Sequence, residues 1–114
     1  MNPESIVACL KDCQVIEMNR GVRLWSVSGQ NMTLSYVELQ PSAMTDSHRH
    51  PSEQVNYILQ GSVEAIIGEE TRKCHSLKSG DVIVVPPNSR HQFRTVGPEV
   101  AAMIGVLNPP RGKA

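Results

Sequence analysis

The sequence predicts an all-β sandwich or barrel, and three observations carry that expectation. Short apolar or alternating runs recur every ~8–12 residues, the spacing at which strands and turns alternate in such folds. The eight glycines and eight prolines fall mostly between those runs, where they permit positive φ or fix φ. Helical periodicity shows only near the N-terminus.

Taken in order, the chain opens on a short helical expectation over residues 1–13. Asn2 can cap it, Pro3 suits its first position, and Ile6, Val7 and Leu10 recur at helical spacing. The first strand is expected over 22–27, closed by Gly29, Gln30 and Asn31, and the second over 32–39, closed by Gln40, Pro41 and Ser42. Residues 54–59 and 63–67 flank the Gln60-Gly61 turn, and Gly68, Glu69 and Glu70 lead to a strand over 71–77. After Lys78 to Asp81, residues 82–85 form an apolar run that stops at Pro86, Pro87 and Asn88. Strands over 91–95 and 100–107 follow, separated by Val96, Gly97 and Pro98 and ended by Asn108, Pro109 and Pro110. No linker, repeat or low-complexity segment interrupts this series, so 1–114 is expected to be one domain with its barrel core over 31–108.

Charge narrows the function classes. Eleven basic residues balance eleven acidic ones, without a run of like charges, so neither nucleic acid nor an anionic membrane is an expected partner. The longest apolar runs fall far short of the ~20 residues of a membrane span. The N-terminus lacks the positive start and apolar stretch of a signal peptide. Cys9, Cys13 and Cys74 form an odd set without zinc or redox spacing, which reads as reduced thiols and a cytoplasmic protein.

The chemistry concentrates in the histidines. His48 and His50 lie two apart, and in an extended chain residues two apart point the same way, so both imidazoles can aim at one point. Gln54 shares their parity if the chain stays extended through Pro51. Imidazole is the commonest protein ligand for first-row transition metals, although two exposed strand histidines have the same spacing. His75 sits alone between Cys74 and Ser76 and reads as a surface residue.

The wider spacing resembles the cupin superfamily. Its first motif, G-x5-H-x-H-x3-E-x6-G, is matched by His48, His50, Gln54 and Gly61; its second, G-x5-P-x-G-x2-H-x3-N, by Gly80, Pro86 and His91. The resemblance implies a double-stranded β-helix jelly-roll barrel, RmlC-like, with one divalent transition metal ion (iron, nickel, manganese or zinc) on His48, His50, Gln54 and His91. Ser42, Asn88 and Thr95 depart from the motif's glycines and asparagine, and Asn tolerates positive φ better than most residues. Gln54 in place of glutamate leaves the first shell neutral and so favours an anionic exogenous ligand. Glu53 next door is expected on the opposite face. Gln54 as fourth ligand, Glu53 in its place, and three histidines alone are the open alternatives.

Gln at that position also occurs in small cupins similar to the pectin-degradation protein that processes unsaturated uronates. That group has an aspartate and a phenylalanine on the last strand and a following arginine, at positions matching Gly105, Leu107 and Arg111 here. The resemblance thus implies a carboxylate-binding arginine without the acid–base carboxylate. Asn56, Phe93 and Arg111 are the nearest candidates to touch a ligand: Asn56 reads as a pocket wall, while Phe93 is weighed against core packing and Arg111 against a solvated tail. Trp25 and Tyr36 read as core or interface residues.

Small cupins of this kind usually pair their barrels. The apolar face of Val55, Tyr57 and Leu59, and the run 82–85 that is apolar on both faces, point the same way, to a homodimer. Three functional readings stay open: Lewis-acid chemistry on a small oxygen-rich anion such as a sugar acid or keto acid, a metal-dependent dioxygenase, and a non-catalytic small-ligand-binding protein.

Overall fold

The computed structural model describes residues 4–110. Strands β1 (Ile16–Asn19), β2 (Val22–Ser28), β3 (Thr33–Leu39), β4 (Glu53–Gln60), β5 (Ser62–Ile67), β6 (Lys73–Lys78), β7 (Val82–Val85), β8 (His91–Val96) and β9 (Ala101–Asn108) follow one another. They form two antiparallel sheets, ordered β1-β2-β3-β9-β4-β7 and β6-β5-β8. Every strand expected from the sequence is present with its ends within two residues. Among the described residues no helix is long and apolar enough to cross a membrane.

The N-terminal helix is corrected. Among the described residues of that segment only a single 3-10 turn, Leu10–Asp12, forms, and Ile6 and Val7 stand 83% and 95% exposed. Helices this short are marginal without a surface to bury their apolar stripe, and Cys9 supplies no side-chain cap. Asn2 and Pro3 lie outside the described residues. The turn is held from the side instead. Lys11 Nζ sits 3.8 Å from the Trp25 ring centroid and 4.4 Å from that of Tyr36, and pairs with Glu38 at 3.0 Å.

Strand alternation builds the core. On β4, Gln54, Asn56 and Ile58 are buried while Val55, Tyr57 and Leu59 face out. Leu24, Val37, Leu39, Val63, Val85, Phe93 and Met103 close the interior with Ile58. β7 does not reach the two-sided burial its sequence suggests: Val82 and Val84 are 54% and 55% exposed. It is an edge strand whose outer face no other strand covers among the described residues.

Two turns set the ends of the histidine-bearing segments. Ala43 N–H donates to Gln40 C=O at 3.0 Å and Ser89 N–H to Pro86 C=O at 3.2 Å. Their third residues, Ser42 and Asn88, have φ of 66° and 61°. These are type II turns with Pro41 and Pro87 at the second position, and the third position favours glycine. Left-handed backbone costs a non-glycine residue roughly 1–2 kcal/mol, of which the extra unfolded-state freedom of glycine cancels ~0.5–1. Ser42→Gly is therefore expected to stabilise the fold by ~0.5–1 kcal/mol, seen as a higher urea midpoint at unchanged slope. A lower midpoint would contradict it.

Residues 43–48 then run beside β8. Thr95 N–H donates to Ala43 C=O at 3.0 Å and Thr45 N–H to Phe93 C=O at 2.9 Å. His48 and His91 exchange both backbone hydrogen bonds, at 3.1 and 2.8 Å. That ladder brings the two histidine motifs together.

Candidate metal centre

His91 opens β8 and projects into the barrel, buried; His48 lies directly across from it. His50 is fixed by its carbonyl, which accepts from Asn88 N–H at 2.8 Å. The chain bends at Pro51 and Ser52 rather than staying extended, yet β4 starts in the register that sends Gln54 inward and Glu53 out to solvent. Ring centroids are 5.4 Å apart for His48 and His50, 4.5 Å for His48 and His91, and 4.8 Å for His50 and His91. One ring nitrogen from each lies within 4.8 Å of the others, a cluster able to hold a metal ion.

Each ring is oriented the same way. His48 Nδ1 lies 2.9 Å from Asp46 C=O, His50 Nδ1 3.0 Å from Ser52 C=O, and His91 Nδ1 2.8 Å from Ser89 C=O. A carbonyl only accepts, so each Nδ1 carries a proton, and the neutral form of each ring then presents its Nε2 lone pair. Gln54 Oε1, also an acceptor, stands 3.0 Å from His50 Nε2. Three lone-pair nitrogens and an amide oxygen converging on one volume fit a divalent cation, and the backbone carbonyls are the outer partners that metal-bound histidines use.

The other expected residues fall as follows. Asn56 is buried one step along β4, and its Oδ1 accepts from Gln54 Nε2 at 2.9 Å. Phe93 serves both roles weighed for it, packing in the core and lining the cavity, its ring centroid 6.2 Å from that of His91. Arg111 lies outside the described residues. The chain approaching it passes the histidine loop, where the Ser52 hydroxyl donates to Pro109 C=O at 2.6 Å. His75 is exposed on β6. Trp25 pairs with Tyr36, centroids 5.7 Å apart, beneath Lys11.

The cavity over the cluster has a volume of ≈ 40 Å³, room for about three waters at the ~10–15 Å³ each requires. Its wall also includes Met18, Ser35, Thr45 and Met103, which sequence reasoning did not single out. Ser35 carried a signal: it is a polar residue at an inward position of β3, between Thr33 and Val37. No Asp, Glu, Lys or Arg lines this cavity among the described residues. Charges brace it from outside, where Glu69 pairs with Arg49 at 3.1 Å and Arg90 at 3.2 Å. Gly105 faces Asn56, and a β-carbon there would fall 2.6 Å from Asn56 Oδ1. The cysteines take no part. All three are free, and the hydrogen bond from Cys74 to the Glu64 carboxylate holds that thiol above its usual pKa.

The family model for the cupin domain matches residues 35–107. The chain belongs to the cupin family. This cupin is 34% identical over 83 residues to H2HPP isomerase of Bacillus subtilis, a stretch that covers 71% of the chain and 34% of that protein. The chain spans half the length or less of the curated relatives it matches. Among solved structures it superposes on KdgF from Halomonas sp. with a TM-score of 0.79 at 20% identity, covering 96% of this cupin and 97% of KdgF. It also superposes on Lactobacillus farciminis oxalate decarboxylase in its formate complex, TM-score 0.78 at 26% identity, covering 87% of this cupin and 32% of that chain. The fold is thus the RmlC-like jelly roll that the two motifs implied.

Proposed function

We propose that this cupin holds one divalent transition metal ion, iron, nickel, manganese or zinc, on His48, His50, His91 and Gln54, and acts beside it on a small oxygen-rich anion, a keto acid or sugar acid. The observation that carries this reading is the convergence of three Nε2 lone pairs with Gln54 Oε1. An ion bound there supplies Lewis-acid polarisation of an oxygen. The chain's own residues select the ligand. All four donors are neutral and no carboxylate lines the cavity among the described residues, so an anion completes the charge balance. The small volume admits a few heavy atoms beside the ion, with Asn56 and Phe93 as the walls nearest to them. Arg111, following the Pro109 anchor, is the proposed partner of a ligand carboxylate. The names of an isomerase and of an oxalate decarboxylase among the similar proteins support a small acid as substrate.

A second reading, a metal-dependent dioxygenase, is favoured by one observation. Gly105 stands where the similar small cupins carry an acid–base carboxylate, and among the described residues proton transfer has no carboxylate in the cavity to use. Oxygen consumption measured against a panel of keto acids, uronates and diols separates the two. Turnover with zinc or manganese and no oxygen uptake is the expected result. Uptake by the iron-loaded protein would establish the dioxygenase instead, and tight binding with neither would leave a non-catalytic binding protein.

We also propose a homodimer formed through the outer face of the larger sheet. Strand register lines up Leu34, Val106, Val55 and Val84 in one row and Tyr36, Ile104, Tyr57 and Val82 in the next. Rows of this kind across four strands are the contiguous apolar surface that marks a protein interface.

A further inference from the structure

The orientation of the Gln54 amide is set by a relay that starts on another strand. Asn56 Nδ2 donates to Met103 Sδ at 3.2 Å, and a thioether sulfur has no proton to give. The Asn56 amine is thereby turned toward Met103 and its Oδ1 toward Gln54. That oxygen takes the Gln54 amine at 2.9 Å, which leaves Gln54 Oε1 facing His50 Nε2 at 3.0 Å. With the proton of His50 on Nδ1, two acceptors meet across that gap. A free glutamine would turn over and donate to the imidazole, and the relay opposes that turn.

Gly105 makes the relay possible. It lies directly across from Asn56 on β9, and a β-carbon there would stand 2.6 Å from Asn56 Oδ1 and 3.2 Å from its Cγ. Any larger residue at 105 displaces the Asn56 side chain. Asn56 is 2% exposed, so its amide is closed off from bulk solvent.

We propose that Asn56 is a positioning residue that presents the oxygen of Gln54, rather than its amine, to the metal, with Gly105 supplying the space. This rests on the reading of Gln54 as a ligand. Cobalt(II) affinity, measured by competition with a chelator and by the d–d absorption of the bound ion, tests it without reference to activity. Asn56→Leu is expected to weaken cobalt binding by roughly 10–100-fold, the usual cost of losing an outer-shell partner, and to alter the absorption envelope. Asn56→Asp, whose carboxylate accepts the same hydrogen bond, is expected to bind at or above wild-type affinity. Gln54→Leu should weaken binding similarly, and Asn56→Leu added to it should cost nothing more. Gly105→Ala, acting from β9, is expected to weaken binding in the same direction and serves if Asn56→Leu does not fold. Wild-type affinity in both Asn56→Leu and Gly105→Ala beside a weakened Gln54→Leu would overturn the proposal, as would an Asn56→Leu loss that persists at full size in the Gln54→Leu background. Wild-type affinity in Gln54→Leu itself would instead overturn its role as a ligand.

Discussion

His48→Ala/His50→Ala is expected to purify with roughly a tenth or less of the wild-type metal content, because two of three nitrogen donors are gone and the carbonyls of Asp46 and Ser52 have nothing left to orient. The backbone pairing of His48 with His91 does not involve the imidazoles, and neither replaced side chain belongs to the apolar core. The variant should therefore fold. Elemental analysis reads the difference directly. Thermal melts supply a second reading, since a ligand that binds only the native state stabilises it by ~2.7 kcal/mol at a hundred times its Kd. Added zinc or manganese should raise the wild-type Tm and leave that of the variant unmoved. Equal metal content in the two proteins would remove the metal centre.

Light scattering of the wild-type protein at micromolar concentration is expected to give twice the 12.5 kDa chain mass, and Tyr57→Glu/Val84→Glu to give the chain mass. Tyr57 and Val84 sit on adjacent strands, 46% and 55% exposed, so charges there cost the isolated barrel little. Buried against a second copy they would meet apolar side chains, and a two-fold axis would set carboxylates near their own mates. A buried unpaired charge costs several kcal/mol, enough to dissociate a micromolar dimer. A wild-type mass of one chain would refute the assembly.

Much of this architecture was legible in the sequence because strand alternation is a two-residue signal that needs no partner to be seen. Gln54, Asn56 and Ile58 against Val55, Tyr57 and Leu59 is such a pattern. β1 was missed because Ile16 to Asn19 offers two apolar residues over four positions. It is held by pairing with β2 and by Asn19, whose amine donates to Met44 C=O and to Asp46, 25 and 27 residues away. The N-terminal helix was over-read for the converse reason: Ile6, Val7 and Leu10 have the right spacing but no surface to meet. The histidines could be placed since turns at Ser42 and Asn88 and the short H-x-H spacing are local features. The join of Asn56 to Met103 and Gly105 could not, because it depends on the register of β4 against β9.

The protonation pattern of the three rings is written into the course of the main chain. The acceptors at Asp46, Ser52 and Ser89 are peptide carbonyls, which every amino acid carries. Alanine scanning through those positions would leave the rings tautomerically fixed and so pass over the groups that fix them. Mutational drift is buffered in the same way: the side chains beside the histidines can diverge freely while the lone pairs stay aimed. What such a protein must preserve is the path of the loop, through its turns, more than the chemical identity of the residues along it.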